Sequence, residues 1–166
     1  MESLRYSYYF AIPFADAGFN ILAIDPRAHG LSGGIYNTVG FEESLDIIEW
    51  LRFARDELGM TSVVLHGVCI GAAGGILAAT NENCPDTVAA LVADGMFVNF
   101  RESMKNHLIE RKKPVFIVLS AINMWMKHYP GHSMNRGPVN VMERFDKPLL
   151  MLHGTGDIYS TPENAK

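Results

Sequence analysis

The stretch TSVVLHGVCIGAAGG, residues 61–75, decides the fold. An apolar run, Val63, Val64 and Leu65, reaches His66 and then Gly67-Val68-Cys69-Ile70-Gly71, after which small residues continue. The pattern is glycine, any residue, nucleophile, any residue, glycine at a strand-to-helix junction, with cysteine where serine usually stands. A strained turn there lifts the residue 69 side chain off the sheet's edge while a helix starts behind it. The flanking glycines are expected because a Cβ at either would strike the neighbouring strand or helix. The Ile70 N–H is expected to face the same point, where it can hold a developing oxyanion. A thiol at a helix N-terminus should also have a lowered pKa, because the helix end favours the thiolate.

Outward from this stretch, apolar runs and helical periods alternate. Residues 19–24 read as a short buried strand that runs into the turn-rich Asp25-Pro26-Arg27-Ala28-His29-Gly30. Further strands are expected over 62–65, 88–93 and 149–152. Helices are expected over 3–17 (with Pro13 inside and Gly18 as the stop), 41–58, 71–80, 100–111 and 114–129. In the second of these, Phe41, Leu45, Ile48, Leu51 and Leu58 form the apolar stripe. Glu42, Glu43, Asp46, Arg52 and Asp56 tend to the other side. The helix over 114–129 is apolar nearly all round, which predicts that it is buried or lies over something. Near-continuous apolar strands separated by helices imply an α/β fold, a parallel sheet with helices on both faces.

Three segments together resemble the α/β-hydrolases. Residues 14–34, FADAGFNILAIDPRAHGLSGG, resemble the strand and loop that precede the elbow, with a D-x-R-x-H-G-x-S core. The elbow follows in order. His153-Gly154-Thr155-Gly156-Asp157 with Pro162 is similar to the segment that carries the acid of the triad. The resemblance covers essentially the whole chain. It is closest to bacterial serine-type hydrolases with a helical cap between the sixth and seventh strands, and the cysteine at the elbow is similar to that of dienelactone-hydrolase-like members. It implies an α/β-hydrolase fold, with the core over 1–96 and 146–166 and a helical cap insertion over 97–145. It also implies hydrolysis of an ester, thioester or related acyl bond, with Cys69 as nucleophile, Ile70 as the oxyanion N–H donor and Asp157 as triad acid. Asp94 is the runner-up acid. In the family three strands precede the first helix seen here, and the triad histidine follows the acid. This chain has neither, so it resembles the middle of a hydrolase, a fragment. With the third strand missing, the chain is expected to re-pair its strands, to borrow one from a partner or to be only marginally stable.

Composition excludes other classes. The chain has 166 residues, 48% of them hydrophobic, which suffices for one domain with a core. A formal net charge of −4 makes no case for nucleic acid or an anionic membrane as partner. No apolar run reaches bilayer-spanning length, and Met1-Glu2-Ser3-Leu4-Arg5 lacks the form of a signal peptide. Two cysteines, Cys69 and Cys84, imply a reducing, cytoplasmic compartment rather than a disulfide framework. No cluster has metal-ligand spacing and no glycine run is followed by Lys-Ser/Thr, so neither a metal nor a cofactor is expected. The expected partner is a small acyl substrate, with self-association favoured by an exposed strand edge.

His29, His66 and His153 are expected to be structural, with bonds to backbone, and His107, His128 and His132 fall in the insertion. Met124, Trp125 and Met126 could line an acyl or aromatic pocket, with plain packing of the insertion as the simpler reading. Two other readings compete. One is a truncated, catalytically inactive hydrolase that acts as a binding or interaction module. The other is dehalogenation or carbon–carbon cleavage on the same fold, which needs an acidic or serine nucleophile that residue 69 is not.

Overall fold

In the computed structural model, which describes residues 4–162, the stretch quoted above is β1, residues Val63–Val68, followed by helix α3, Ile70–Ala79. Helices α1, Leu4–Asp16, and α2, Phe41–Asp56, precede it. Strand β2, Val88–Asp94, helices α4, Phe100–Glu110, and α5, Val115–His128, two short 3-10 turns and strand β3, Leu149–Leu152, follow. The three strands pair in parallel in the order β1-β2-β3, with His66 opposite Val92 and Asp94 opposite Leu152. The chain divides into two compact units, residues 1–37 and 38–166.

In the second unit, Leu65, Leu91, Ala93, Leu149 and Met151 pack with Ala72 and Ile76 of α3. The small residues of α3 permit this approach: a Cβ on Gly75 would lie 2.9 Å from Leu91 Cδ1. A helix rich in Gly and Ala thus presses closely on the sheet. The alternate residues Val64, Val68, Leu150 and Leu152 are apolar too, yet exposed. A period of two sends them to the opposite face.

Residues 19–24, expected as a buried strand, form none, and Phe19, Ile21 and Leu22 are exposed. A strand exists only by hydrogen bonding to a neighbour, and the first unit contains no second strand among the described residues. The chain folds locally there instead. The Asp25 carboxylate accepts from Leu31 N at 3.1 Å, Ser32 Oγ donates to the Asp25 carbonyl at 2.7 Å, and His29 Nδ1 bonds the Arg27 carbonyl at 2.8 Å. The backbone role expected of His29 is therefore observed.

Two helix faces also differ from the expected ones. In α2, Leu45 is 48% exposed while Glu43, placed on the polar side, is 6% exposed. Its carboxylate accepts from Thr38 N (2.8 Å), Thr38 Oγ1 (2.8 Å) and Gly40 N (2.7 Å). Thr38 Oγ1 in turn accepts from Glu42 N at 2.7 Å. Burial of a charge is tolerable here because donors at a helix start, where the helix dipole is positive, surround it. In α5, Leu119 and Met126 are buried, but Phe116, Ile117 and Met124 are exposed rather than covered. Its hydrophobic residues exceed what the single packed face can hide.

Glu43→Ala strips three donors of their acceptor at once and is expected to lower stability by about 2–4 kcal/mol. Urea denaturation beside the wild-type chain measures it. A loss no larger than that of an exposed Glu49→Ala would contradict the buried role.

Candidate active site

Between β1 and α3 a single residue makes the turn. Cys69 has φ 53° and ψ −107°, a positive φ outside the ordinary wells for an L-residue and costing on the order of 1–3 kcal/mol. Its N–H donates to the Asp94 carbonyl at 2.7 Å and its carbonyl accepts from Ala73 N at 3.1 Å. The strand end and the first helical turn thus both hold it. Gly67 makes the sharp turn possible: a Cβ there would stand 2.4 Å from Ala72 N and from the Gly71 carbonyl carbon. At Gly71 the expectation fails, because a Cβ would meet nothing within 4 Å. The steric demand at this turn is one-sided, since residue 67 faces the returning helix and residue 71 faces open space.

The three strand ends converge on this turn. Asp94 ends β2, and Gly95 N continues the pairing to the Leu152 carbonyl at 2.8 Å. After β3 the chain turns, and the Asp157 carboxylate accepts from Tyr159 N at 2.8 Å and Ser160 N at 2.9 Å through one oxygen, Oδ1. Its Oδ2 lies 3.5 Å from where a Cβ of Gly95 would be. Asp157 acts electrostatically on Cys69, whereas the side chain of Asp94 acts on His66. Of the two carboxylates considered, Asp157 is the one coupled to the thiol.

Burial pushes the Cys69 thiol above its ordinary value; the Ile70 N–H, which bonds the sulfur, pulls it down, and Asp157 pushes it up again. The lowered pKa expected of a helix N-terminus is overturned. One N–H compensates only part of the desolvation of a thiolate packed against apolar side chains. Those neighbours belong to the cluster of Val39, Ala73, Phe97, Leu108, Leu119, Met126 and Met134. Met126 is a buried member of that cluster, in keeping with plain packing, the simpler reading. Met124 and Trp125 are exposed.

None of the six histidines bonds to Cys69 among the described interactions. His153 Nε2 bonds the Met96 carbonyl at 3.0 Å, a structural role as expected. His66 lies within β1, and burial lowers its pKa against the pull of Asp94. His132 stacks on Phe41 at 4.6 Å and bonds Glu42 at 3.1 Å. His107 packs on Tyr159 at 5.0 Å, and Asn106 Nδ2 donates to the Tyr159 carbonyl at 3.3 Å. Asn106 and His107 thus hold the loop that positions Asp157. Nothing in the sequence signals this, because the two segments are far apart along the chain. Among the described residues no group of histidines, cysteines and carboxylates could hold a metal ion.

Residues 2–120 match the family model described as the alpha/beta hydrolase fold, and the chain belongs to that family. It is similar to the uncharacterized protein YqkD of Bacillus subtilis (strain 168), 28% identical over 162 residues that cover 96% of this chain and 52% of that protein. Among solved structures it is similar to an esterase of Pyrococcus furiosus, with a TM-score of 0.75 at 24% identity over 98% of this chain and 62% of that one. A monoacylglycerol lipase of Paleococcus ferrophilus gives 0.56 at 22% identity, over 97% and 72% of the two chains. The chain therefore spans about half the length of the curated relative. The resemblance drawn from the three segments holds, and the partial, parallel three-stranded sheet flanked by helices is that of this fold.

Gly67→Ala is expected to destabilise the chain by about 2–4 kcal/mol through backbone overlap, whereas Gly71→Ala should be neutral or stabilise by up to about 1 kcal/mol. Thermal melts of the two variants test the asymmetry. For Asp157→Asn, removal of the negative charge favours the thiolate, so the pH midpoint of Cys69 alkylation should fall and the rate near pH 8 should rise. An unchanged or higher midpoint would show that Asp157 does not face the thiol.

Proposed function

We propose that this α/β-hydrolase-fold chain carries the nucleophile side of an enzyme that hydrolyses an ester, thioester or related acyl bond. The observation that carries the reading is the Cys69 turn. A reactive side chain is held at positive φ between β1 and α3, with the Ile70 N–H on its sulfur and the Asp157 carboxylate within electrostatic reach. Cys69 Sγ attacks the acyl carbon, and the developing oxyanion is received by Ile70 N–H. The alcohol or thiol leaves with a proton, and water then releases the acid from the acyl-cysteine. Because burial and Asp157 keep the thiol protonated, attack requires a base. Asp157 would orient and charge-stabilise the histidine that serves as this base. Residues 97–145 would act as the helical cap over this turn, with Leu119 and Met126 in the apolar cluster against which Cys69 packs. The esterase and the lipase among the similar structures lend the substrate class its support.

Two further features accompany this reading. The reading calls for no cofactor or metal, and free Cys69 and Cys84 suit a reducing, cytoplasmic setting. The second reading, a hydrolase-like module that binds without turnover, is favoured by the raised thiol pKa, since burial disfavours the thiolate.

Intact mass after incubation with p-nitrophenyl acetate separates the two. The expected outcome is one persistent acetyl on Cys69, formed faster than on free cysteine and absent in Cys69→Ala. An acyl-cysteine that no histidine-activated water reaches persists, with turnover several orders of magnitude down. Labelling no faster than free thiol, or equal at Cys84, would remove the catalytic reading for this chain.

A further inference from the structure

Charge is unevenly placed in this chain. Residues 97–145 hold eight lysines and arginines against three glutamates, although the whole chain has a net charge of −4. Three of the cations are consecutive, Arg111, Lys112 and Lys113, exposed at the turn between α4 and α5. Lys112 adopts φ 52°, and Lys113 N closes the turn on the Leu108 carbonyl at 2.8 Å. Cations suit a helix C-terminus, but that accounts only for the charge. Immediately after them Phe116 is 81% and Ile117 67% exposed, and one face further along α5 continues with Met124, 70% exposed. At the far end of that helix an open cavity of about 540 Å³ is lined by Arg101, Ser120, Asn123, Met124, Lys127 and His128, with no carboxylate among them. The buried Asn123 Oδ1 has no hydrogen-bond partner among the described residues.

We propose that this segment docks on an anionic lipid surface. The outward face of α5 enters the boundary between headgroups and acyl chains, and the Arg101–Lys127–His128 groove receives a lipid phosphate. An amphipathic helix with bulky apolar residues on one face and lysines at its margins lies in such an interface. Each cation near an anionic surface adds to the attraction. No helix of the described residues is long and apolar enough to cross a membrane, so the contact is peripheral. A net negative charge does not oppose it, because screening limits the acidic remainder to short range. A soluble anion would account for the groove but not for Phe116 and Ile117. A second copy meeting the same face would set these cations against their own equivalents.

The test is co-sedimentation of the 166-residue chain with phosphatidylcholine vesicles, with and without phosphatidylglycerol. Binding is expected only with phosphatidylglycerol and should fall steeply as salt rises. The double variant Lys112→Gln/Lys113→Gln should bind at least about tenfold more weakly, and Phe116→Ser/Met124→Ser should lose binding at low salt. Lys147→Gln, elsewhere on the chain, should bind as the wild type does. These side chains are exposed, so far-UV circular dichroism should report intact folds, and the salt series on the unaltered chain needs no variant. Equal binding to neutral vesicles, binding that survives high salt, or variants without effect would overturn the proposal. So would two further outcomes: stabilisation by inorganic phosphate without vesicle binding, or dimerisation by light scattering that Phe116→Ser abolishes.

Discussion

At the junction of β1 and α3 the chain reverses within one residue, and it can do so only because Gly67 has no side chain. The first turn of α3 returns so closely that Ala72 N and the Gly71 carbonyl carbon occupy the space a Cβ would need. That contact holds Cys69 at its positive φ, and the bond from Cys69 N to the Asp94 carbonyl ties the turn to the end of β2. The Gly95–Leu152 bond then carries the same alignment to β3, so the Asp157 loop starts from a defined height. The geometry of the Cys69 turn descends from this close approach of a helix to a strand.

The site's electrostatics follow from what covers it. Apolar side chains from the segment between β2 and β3 pack beside Cys69 and remove water from the thiol. Exclusion of water strengthens any dipole aimed at a developing oxyanion, yet it also disfavours the thiolate. One backbone N–H, from Ile70, works against that burial, and the Asp157 carboxylate works with it. Such an arrangement favours the neutral thiol over the thiolate. Asp157 itself is doubly held, by Tyr159 N and Ser160 N, and the Tyr159 carbonyl is gripped by Asn106 of α4. The segment between β2 and β3 therefore holds the Asp157 loop as well as packing beside Cys69.

Much of this was legible along the chain. The elbow pattern around Cys69, the order of three strands and five helices, and β3 at Leu149–Leu152 are set by local apolar periods and by glycines at turns. The neighbourhood of Asp157 and Cys69 followed from order too, since parallel strands bring their C-terminal ends to one edge. Where local signals misled, a distant neighbour was the cause. Residues 19–24 have strand composition but no strand to pair with in their own unit. Glu43 has the look of a surface residue, yet three donors at the start of α2 draw it inside.

What the sequence determined by itself is the succession of strand, strained turn and helix and the placing of a cysteine at that turn, because steric and hydrophobic periods act over a few residues. The tertiary structure decided which glycine is indispensable, on which side of its usual value the thiol pKa lies, and which face of α5 looks outward. Each depends on distances and dielectric surroundings between segments remote in sequence. Gly67 and Gly71 are alike in the chain and differ only in what stands opposite them.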